Sequence, residues 1–199
     1  MSNSNYKIYI VHIDKNIDLY RYLYLLSVET RKQVISYKND DDRLRAFTSA
    51  LLKYYYLPYV LGISNQNICI EVNKYGKPYV VGLYDVDFNI SHSGEYVILG
   101  ISYGKKIGID IERIDNNIDL SIGTAVFNHN ELLQLNSVYD FYLLWVKKEA
   151  YLKCFGEGFA TDTYQKTILS IESIQYTQDC DIYVDRFNQN YMLAVCVTK

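Results

Sequence analysis

Some segments of this chain alternate apolar and polar residues, while others repeat apolar residues at a helical spacing. Residues 7–13 alternate and predict a strand. After the acidic residues 40–42, apolar residues recur at helical spacing through Tyr55, and acids suit the positive end of a helix dipole. Short strands between glycine-containing turns are predicted at 68–72, 79–81, 87–90 and 96–102. The first half is therefore predicted to be helix followed by sheet.

The second half repeats a coarse plan of strand, helix and strand. We predict a strand at 107–111, a helical segment around 131–135, a long helix from Phe141 to about Phe155, and strands at 182–187 and 191–197. Only two prolines and ten glycines occur, and no linker rich in serine, glycine or proline is visible. The pattern permits two similar α+β lobes that pack closely together.

The composition is that of a folded protein. The chain has 199 residues, of which 49% are hydrophobic, so a buried core is expected. No apolar run approaches the roughly 20 residues of a membrane-spanning helix, and the first residues lack the basic-then-apolar order of a secretion signal. We therefore expect a cytoplasmic protein with no membrane partner. The four cysteines are scattered without zinc-site spacing and are expected to be reduced.

The charge pattern narrows the range of partners. A formal net charge of −3 does not favour nucleic-acid binding. Positive charge is nevertheless concentrated in one stretch, which carries Arg31, Lys32, Lys38, Arg43 and Arg45. This stretch suits a local phosphate site.

Two acids lie close together in the strand region after Gly104. Period-two geometry over residues 107–112 puts three isoleucines on one face and both Asp110 and Glu112 on the other. Two carboxylates on one face suit Mg²⁺, which prefers carboxylates, waters and substrate phosphate oxygens. Two solvated acids on a half-exposed strand would give the same pattern, so the strand alone leaves both interpretations open.

The long helix carries a second group of candidate residues. Trp145, Glu149 and Lys153 are four residues apart and share one face. A surface ion pair between Glu149 and Lys153 would explain the charges and would contribute only about 0.3–0.5 kcal/mol. The alternative is an acid and a base aligned for catalysis. Gly156 and Gly158 permit a tight helix exit and a close backbone approach to a ligand.

A histidine and a lysine are candidates for phosphate contacts. His92 lies between Ser91 and Ser93 where a predicted strand meets a turn. It is either a structural residue or a donor to a phosphate, and no metal is implied because the other histidines lack ligand spacing. Lys77, in Gly76-Lys77-Pro78, belongs first to a turn and would contact phosphate only if other features point there.

Four motifs occur in one order along the chain. They are Gly76-Lys77-Pro78, residues 88–93 (FNISHS), residues 108–112 (GIDIE) and residues 145–153 (WVKKEAYLK) followed by Gly156 and Gly158. This combination closely resembles the surfactin-synthetase-activating type of 4'-phosphopantetheinyl transferase, from about residue 37 to residue 159. The chain length is similar to that of the double-length, monomeric subclass. Val146 departs from the family, which often has Ser or Thr there.

The resemblance implies a fold and an activity. The fold is α+β, with two similar α+β lobes, residues 1–104 and 105–199, packed as a pseudo-dimer with the active site between them. The activity is transfer of the 4'-phosphopantetheine group of coenzyme A to a serine of an apo acyl or peptidyl carrier protein, with Mg²⁺ and release of 3',5'-ADP. Double-length enzymes of this kind often serve peptide, polyketide or siderophore assembly lines.

The same resemblance implies roles for individual residues. Asp110, Glu112 and Glu149 would hold Mg²⁺. Lys153 would interact with the pyrophosphate of coenzyme A and act on the leaving side. Glu149 is also the candidate base for the carrier serine, either directly or through water.

Coenzyme A contacts are implied for a further set of residues. Arg45, Lys77 and His92 match positions that contact the adenosine 3'-phosphate or neighbouring groups, and Ser91 belongs to the same motif as His92. Arg43 is a rival to Arg45, because Arg45 is placed only by its position in the helix. Lys148 and Lys32 are further candidate phosphate contacts.

Two alternatives compete with this hypothesis. Another Mg²⁺-dependent phosphoryl or nucleotidyl transferase would use the same acids, but the chain has no glycine-rich loop ending in Lys-Ser or Lys-Thr. A non-catalytic coenzyme A-binding or carrier-docking protein is the other alternative. Against it stands the intact set Asp110, Glu112, Glu149 and Lys153, since binding alone would not require all four.

Overall fold

A computed structural model describes residues 5–156 and 169–199 of the chain. The N-terminal sheet has the strand order β1-β5-β4 and is antiparallel throughout. Its strands are β1 (Tyr6–His12), β4 (Val86–Ser93) and β5 (Tyr96–Tyr103). A small antiparallel pair, β2 (Ile70–Val72) and β3 (Pro78–Val80), lies between the helices and β4 in sequence. Alternation of apolar and polar residues predicts these strands to within a few residues.

Helices cover one face of this sheet. A 3₁₀ helix (Leu19–Leu25) precedes α1 (Val28–Ser36) and α2 (Asp40–Leu51), and a π-helical turn (Leu52–Tyr56) joins α2 to α3 (Leu57–Leu61). The side chain of Asn39 caps α2 by accepting the N–H of Asp41, and three acids fill the first turn. The cap and the acids both satisfy the positive helix end. Leu44 and Phe47 of α2 are buried in the same cluster as Phe88 of β4.

The C-terminal half builds a second sheet with one long helix against it. The strand order is β6-β9-β8-β7, again antiparallel. The strands are β6 (Ile107–Arg113), β7 (Ile174–Tyr176), β8 (Cys180–Asp185) and β9 (Tyr191–Thr198). A 3₁₀ helix (Leu120–Ala125), α4 (His129–Leu132) and α5 (Val138–Phe155) connect β6 to the rest. Phe141 and Leu144 of α5 share a buried cluster with Met192 of β9.

A third buried cluster joins the two halves. Ile98 of β5 packs with Ile107, Ile109 and Ile111 of β6, and with Tyr191 of β9. The apolar face of β6 is therefore turned towards the N-terminal sheet. Burial of a side chain of this kind contributes roughly 1.5–3 kcal/mol, so this cluster holds the sheets together firmly.

The prediction of two similar α+β lobes is confirmed, with some elements missed. The sheets part between Tyr103 and Ile107. The sequence patterns did not reveal α1, the 3₁₀ helices or β7. All four cysteines are free, with Cys69 exposed and the other three buried. Within the described residues, the helices are all too short or too polar to cross a membrane.

Candidate active site

The face of β6 opposite its isoleucines carries the predicted acids, Asp110 and Glu112. Asp110 is only 2% exposed and Glu112 is half-buried, so neither is a freely solvated surface acid. The cover over Asp110 is α5, which packs directly on this face. The interpretation as two solvated acids on a half-exposed strand is therefore wrong for Asp110.

Gly108 sets the distance between β6 and α5. A Cβ added at this position would lie 2.0 Å from the carbonyl oxygen of Ala150 and 2.3 Å from the backbone nitrogen of Cys154. Both atoms belong to the α5 backbone, which cannot yield as a side-chain tip would. Glycine thus allows the close approach that brings the polar face of α5 to the acids of β6.

The predicted stripe on α5 faces β6. The Nζ of Lys153 lies 2.5 Å from Oδ1 of Asp110 and 3.7 Å from Oε2 of Glu149. Trp145, one turn before Glu149, hydrogen-bonds to the side chain of Glu112. Trp145 also stacks on Phe141, with ring centroids 6.0 Å apart. The simple surface ion pair does not describe this arrangement, because Lys153 binds both an acid of its own helix and one of the strand.

The three carboxylates are held in an environment that disfavours their negative charges. Burial, followed by the charge of Asp110, raises the pKa of Glu112 to about 7, against hydrogen bonds from Ser93 and Trp145 and the charge of Lys153. Burial also raises the pKa of Asp110, although Lys153 and Ser91 act against it. For Glu149, burial and the charge of Asp110 raise the pKa, while Lys153 lowers it. A site of this kind gains stability from added positive charge.

Lys153 already supplies one positive charge to these acids. Burial alone would lower the pKa of Lys153, but the charges of Asp110 and Glu149 outweigh burial and raise it. Lys153 therefore stays protonated at neutral pH. A cation at this position suits charge development on a phosphate-containing group.

One carboxylate oxygen of Asp110, Oδ2, is buried without a hydrogen bond among the described residues. An unpaired buried carboxylate oxygen is costly and calls for a ligand, a water or an ion. In residues 5–156 and 169–199, however, no three acid, histidine or cysteine side chains stand in an arrangement ready to hold a metal ion.

The second part of the site lies at the end of β4. The imidazole of His92 reaches solvent, yet the surrounding protein desolvates it, and this lowers its pKa, helped by the charges of Arg45 and Lys153. The guanidinium of Arg45 donates to the carbonyl of Gly94 at 2.8 Å and pairs with Asp42. Arg45 and His92 are therefore neighbours, and their contact with a 3'-phosphate stays a prediction.

Arg43 points to a different place. Its guanidinium donates to the carbonyls of Tyr37 and Lys38 at 2.7 and 3.0 Å and pairs with Asp40. These bonds fasten the loop between α1 and α2. Among the two rival arginines, the structure thus brings only Arg45 to His92.

Lys77 and Ser91 are engaged in contacts within the protein. The Nζ of Lys77 donates to Asp87 at 2.5 Å, to the carbonyl of Ile107 at 3.1 Å and to the carbonyl of Cys154 at 2.9 Å. The Ser91 hydroxyl accepts the N–H of Ile111 and donates to Asp110. Both residues line the junction of the lobes, and in this structure their polar atoms are bound to protein groups.

The prediction that Lys148 contacts phosphate is wrong in this structure. Lys148 is 1% exposed and forms a buried ion pair with Glu131, which is fully buried. Glu131 also receives the N–H of Leu169 and takes part in the capping box of α4 with Asn128. Lys148 lies outside the stripe of Trp145, Glu149 and Lys153 on α5, and its ion pair connects α5 to α4 within the C-terminal lobe. Gly158, from the same motif, lies outside the described residues.

Two adjoining cavities run along the junction beside these groups. One, of about 340 Å³, is lined by Lys77, Glu149 and Lys153; the other, of about 280 Å³, is lined by Thr30, Lys53 and His92. They share Pro78, Asn89 and Ile90 as a common wall. A larger cavity of about 470 Å³ is lined by residues such as Tyr84 and Lys106 and contains none of the three acids. The smaller pair offers an elongated groove from His92 to Lys153.

Three polar residues of β4 were missed as part of the site: Asp87, Asn89 and Ser93. The side chain of each accepts a backbone N–H from β6, and Ser93 also donates to Glu112 at 3.0 Å. The signal was available in the sequence, since polar residues occupy every second position from 87 to 93. Alternation of this kind places them on one side of a strand.

Comparisons with known proteins agree with the motifs. Residues 15–103 match the family model described as 4'-phosphopantetheinyl transferase, N-terminal, and residues 106–196 match the model of the 4'-phosphopantetheinyl transferase superfamily. The chain is 40% identical over 157 residues to the 4'-phosphopantetheinyl transferase gsp of Aneurinibacillus migulanus, a match that covers 74% of this chain and 65% of that relative.

Other relatives extend the match along the chain. The chain is 29% identical over 206 residues to the 4'-phosphopantetheinyl transferase Sfp of Bacillus subtilis (strain 168), covering 96% of this chain and 91% of that relative. It is 32% identical over 110 residues to the 4'-phosphopantetheinyl transferase HetI of a Nostoc species, covering 50% and 46%. Because family models of one enzyme match both lobes in tandem, this chain belongs to the 4'-phosphopantetheinyl transferase family, in its surfactin-synthetase-activating type.

Proposed function

We propose that this chain transfers the 4'-phosphopantetheine group of coenzyme A to a serine hydroxyl of an apo carrier protein and releases 3',5'-ADP. In this reaction the serine oxygen forms a bond to the phosphorus that carries pantetheine, and the bond from that phosphorus to the ADP oxygen breaks. The observation that carries the proposal is the ammonium of Lys153, held 2.5 Å from Asp110 and 3.7 Å from Glu149 at the end of the groove.

By their donor chemistry the acids suit Mg²⁺ as the metal of this reaction, although the described residues do not already form a closed three-ligand arrangement. Asp110 has a buried oxygen with no partner among the described residues, and burial raises the pKa of Asp110, Glu112 and Glu149, so a divalent cation would relieve their shared charge. Asp110, Glu112 and Glu149 are the residues that would hold it. When bound, Mg²⁺ would neutralise charge on the pyrophosphate during transfer.

The chain's own residues have distinct tasks in this proposal. Lys153 stays protonated and binds the pyrophosphate, so that it stabilises the charge of the departing ADP. Glu149 accepts the proton of the carrier serine, directly or through water. The raised pKa of Glu149 suits this task, because a base works best with a pKa near the operating pH.

The other end of the groove is assigned to the adenosine end of coenzyme A. Arg45 keeps donor capacity beyond its bonds to Gly94 and Asp42, and His92 stands beside it. We therefore assign the 3'-phosphate to Arg45 and His92. We assign Lys77 to the wall of the groove, because its ammonium already has three protein acceptors.

The carrier protein is assigned only by class. An acyl or peptidyl carrier of a peptide or polyketide assembly line is the partner that we propose, as the family resemblance implies. A monomeric state and a cytoplasmic location stay predictions.

A mass measurement tests the function. The purified protein is mixed with coenzyme A, Mg²⁺ and an apo carrier, and the carrier should gain the mass of one phosphopantetheine group. A carrier with its acceptor serine replaced by alanine should gain none. Lys153→Met and Glu149→Gln should each slow transfer at least about a hundredfold, equivalent to roughly 2.7 kcal/mol of barrier. Full activity of either variant would remove that residue from the mechanism.

A further inference from the structure

Strands β4 and β6 lie side by side at the lobe junction, although they belong to different sheets. Each pairs with another strand through its main chain, β4 with β5 and β6 with β9. Each stands at the end of its sheet in the strand order of the described residues. A bare strand edge exposes N–H groups that need acceptors. The edge of β6 that faces β4 finds its acceptors in side chains.

Four side chains of β4 accept N–H groups of β6 at alternate positions. In every pair the two residues are 20 positions apart in sequence. The pairs are Asp87 with Ile107 at 2.7 Å, Asn89 with Ile109 at 2.8 Å, Ser91 with Ile111 at 3.2 Å, and Ser93 with Arg113 at 3.0 Å. We name these four pairs the side-chain ladder. It fixes the register of β6 against β4, because a shift by one residue would leave every acceptor without its donor.

The two serines of the side-chain ladder make a second bond each. Ser91 donates to Oδ1 of Asp110 at 3.0 Å, and Ser93 donates to Oε2 of Glu112 at 3.0 Å. In both cases the carboxylate belongs to the residue directly before the one whose N–H the serine accepts. One hydroxyl therefore holds both the backbone of β6 and the acid next to it. Only a group that accepts and donates can do this, which explains serine at these two positions.

We propose that Ser91 and Ser93 are positioning residues that fix Asp110 and Glu112 for the metal and the pyrophosphate. The inference rests on the proposed function, in which both acids work in transfer. Ser91 is buried and Ser93 half-buried, so water does not readily replace either hydroxyl. Removal of a side chain that hydrogen-bonds to a metal-binding carboxylate typically lowers metal affinity or activity by about 10- to 100-fold.

The residues of β4 that alternate with the side-chain ladder make different contacts, with the core and with the proposed coenzyme A groove. Phe88 is fully buried in the core of the N-terminal lobe, and Ile90 and His92 line the cavity assigned to the adenosine end. Asn89 of the side-chain ladder also lines this cavity, but Ser91 and Ser93 line neither of the two cavities. The two serines thus stand apart from the residues of β4 that form the wall of the groove. Substitutions of the serines should accordingly leave coenzyme A binding nearly intact.

The test compares Ser91→Ala, Ser93→Ala, Ser93→Thr and a matched control, Ser102→Ala. Ser102 is a buried serine at the same junction whose hydroxyl lies 2.5 Å from the carbonyl oxygen of Lys105 and 3.5 Å from that of Asp87, and it has no hydrogen bond to Asp110 or Glu112 among the described residues. Each variant is measured for Tm, for kcat and KM with coenzyme A, and for Mn²⁺ affinity without coenzyme A by electron paramagnetic resonance.

We expect Ser91→Ala and Ser93→Ala to lower kcat about 10- to 100-fold and Mn²⁺ affinity about tenfold, with KM for coenzyme A changed less than about twofold. Ser93→Thr keeps the hydroxyl and should restore both values. Ser102→Ala should lower Tm and keep kcat. The proposal would be overturned if Ser102→Ala lost as much kcat as Ser91→Ala and Ser93→Ala at a similar loss of Tm. It would also be overturned if neither Ser91→Ala nor Ser93→Ala lost any kcat or Mn²⁺ affinity. If the wild type transfers no phosphopantetheine, the proposed function fails, and Mn²⁺ affinity alone decides the positioning role.

Discussion

At the scale of single residues, burial decides what each charged side chain can do. The sequence places Asp110 and Glu112 on one face of a strand, but it does not tell that α5 covers this face and removes Asp110 from solvent. It places Lys147 and Lys148 beside the stripe of Trp145, Glu149 and Lys153, yet both lysines are buried in the C-terminal lobe. Sequence motifs thus found the acids and Lys153, while burial, which depends on packing, corrected Lys148.

Glu112 should make the stability of the metal-free protein depend on pH. Its folded pKa of about 7 lies above the ordinary value of 4.5, so folding favours the protonated acid. This group therefore costs no stability below pH 4.5, and its cost grows as pH rises towards 7 and stays constant above. Glu112→Gln removes the cost. In EDTA, the Tm of the variant relative to wild type should be higher at pH 8 than at pH 5. The same difference at both values would mean that Glu112 ionises normally.

His92 should contribute to the use of coenzyme A through its contact with the 3'-phosphate. A charge-assisted hydrogen bond contributes typically about 1.5–3 kcal/mol, so wild type should use dephospho-coenzyme A roughly 10- to 100-fold less efficiently than coenzyme A. His92→Ala should strongly impair the use of coenzyme A but hardly that of dephospho-coenzyme A, because the partner is already missing there. The measurement is kcat/KM for both substrates.

Arg45 and Arg43 provide the control for this cycle. Arg45→Met should reduce the preference for coenzyme A as His92→Ala does, since both contact the proposed phosphate. Arg43→Met should lower Tm and leave the preference unchanged, because Arg43 fastens the loop before α2. Equal losses with both substrates in His92→Ala would move His92 to folding or to the pyrophosphate.

At the scale of elements, the periodic segments were predicted and the others were missed. The helix α5 carries many buried apolar residues and was found to within three residues at its start. The helix α1 buries Val34 and is otherwise exposed or half-buried, so it has no apolar stripe to recognise. The short strand β7 has the same problem, with two of its three residues exposed. Elements whose stability depends on contacts with neighbouring elements show no clear hydrophobic periodicity in their own sequence.

Gly108 is the element-scale position whose change we expect to be severe. In Gly108→Ala the new Cβ would meet backbone atoms of α5 at 2.0 and 2.3 Å, so α5 must move away from β6. Overpacking of this kind costs typically about 1–3 kcal/mol, and the displacement should separate Lys153 from Asp110. We expect a lower Tm together with a large loss of kcat.

Gly104→Ala is the control for Gly108→Ala. An added Cβ there meets nothing within 4 Å, although its φ of +69° disfavours alanine by about 1–2 kcal/mol. Gly104→Ala should therefore lower Tm while the folded protein keeps its turnover. A Gly108→Ala variant that keeps wild-type turnover would show that α5 need not approach β6 so closely.

At the scale of the whole molecule, two lobes are joined by polar contacts as well as by the apolar cluster of β5, β6 and β9. Lys77 connects Asp87 of the N-terminal lobe to the carbonyls of Ile107 and Cys154. The hydroxyl of Tyr191 of β9 accepts the N–H of Glu95 from the turn after β4. The repeated strand and helix plan predicted two lobes, but a single chain pattern cannot tell which side chains cross between them.

Lys77 distinguishes the joining of the lobes from phosphate binding. Its ammonium is only slightly exposed, and it also lies at the C-terminal end of α5, where a cation is favoured by the helix dipole. Lys77→Met would leave the carboxylate of Asp87 without its charged partner in a partly buried place. Breaking such a pair costs about 3–5 kcal/mol when burial is complete, and somewhat less here.

We expect Lys77→Met to lower Tm in the absence of coenzyme A, with the double variant Lys77→Met, Asp87→Asn recovering part of the loss because the unpaired charge is gone. Lys74→Met, an exposed lysine in the same turn, is the control and should leave Tm unchanged. If Lys77 instead binds the 3'-phosphate, the opposite result is expected. Lys77→Met would then leave the Tm of the substrate-free protein unchanged and would raise KM for coenzyme A more than KM for dephospho-coenzyme A. Measuring Tm without substrate and both KM values therefore decides whether Lys77 holds the two lobes together or holds the substrate.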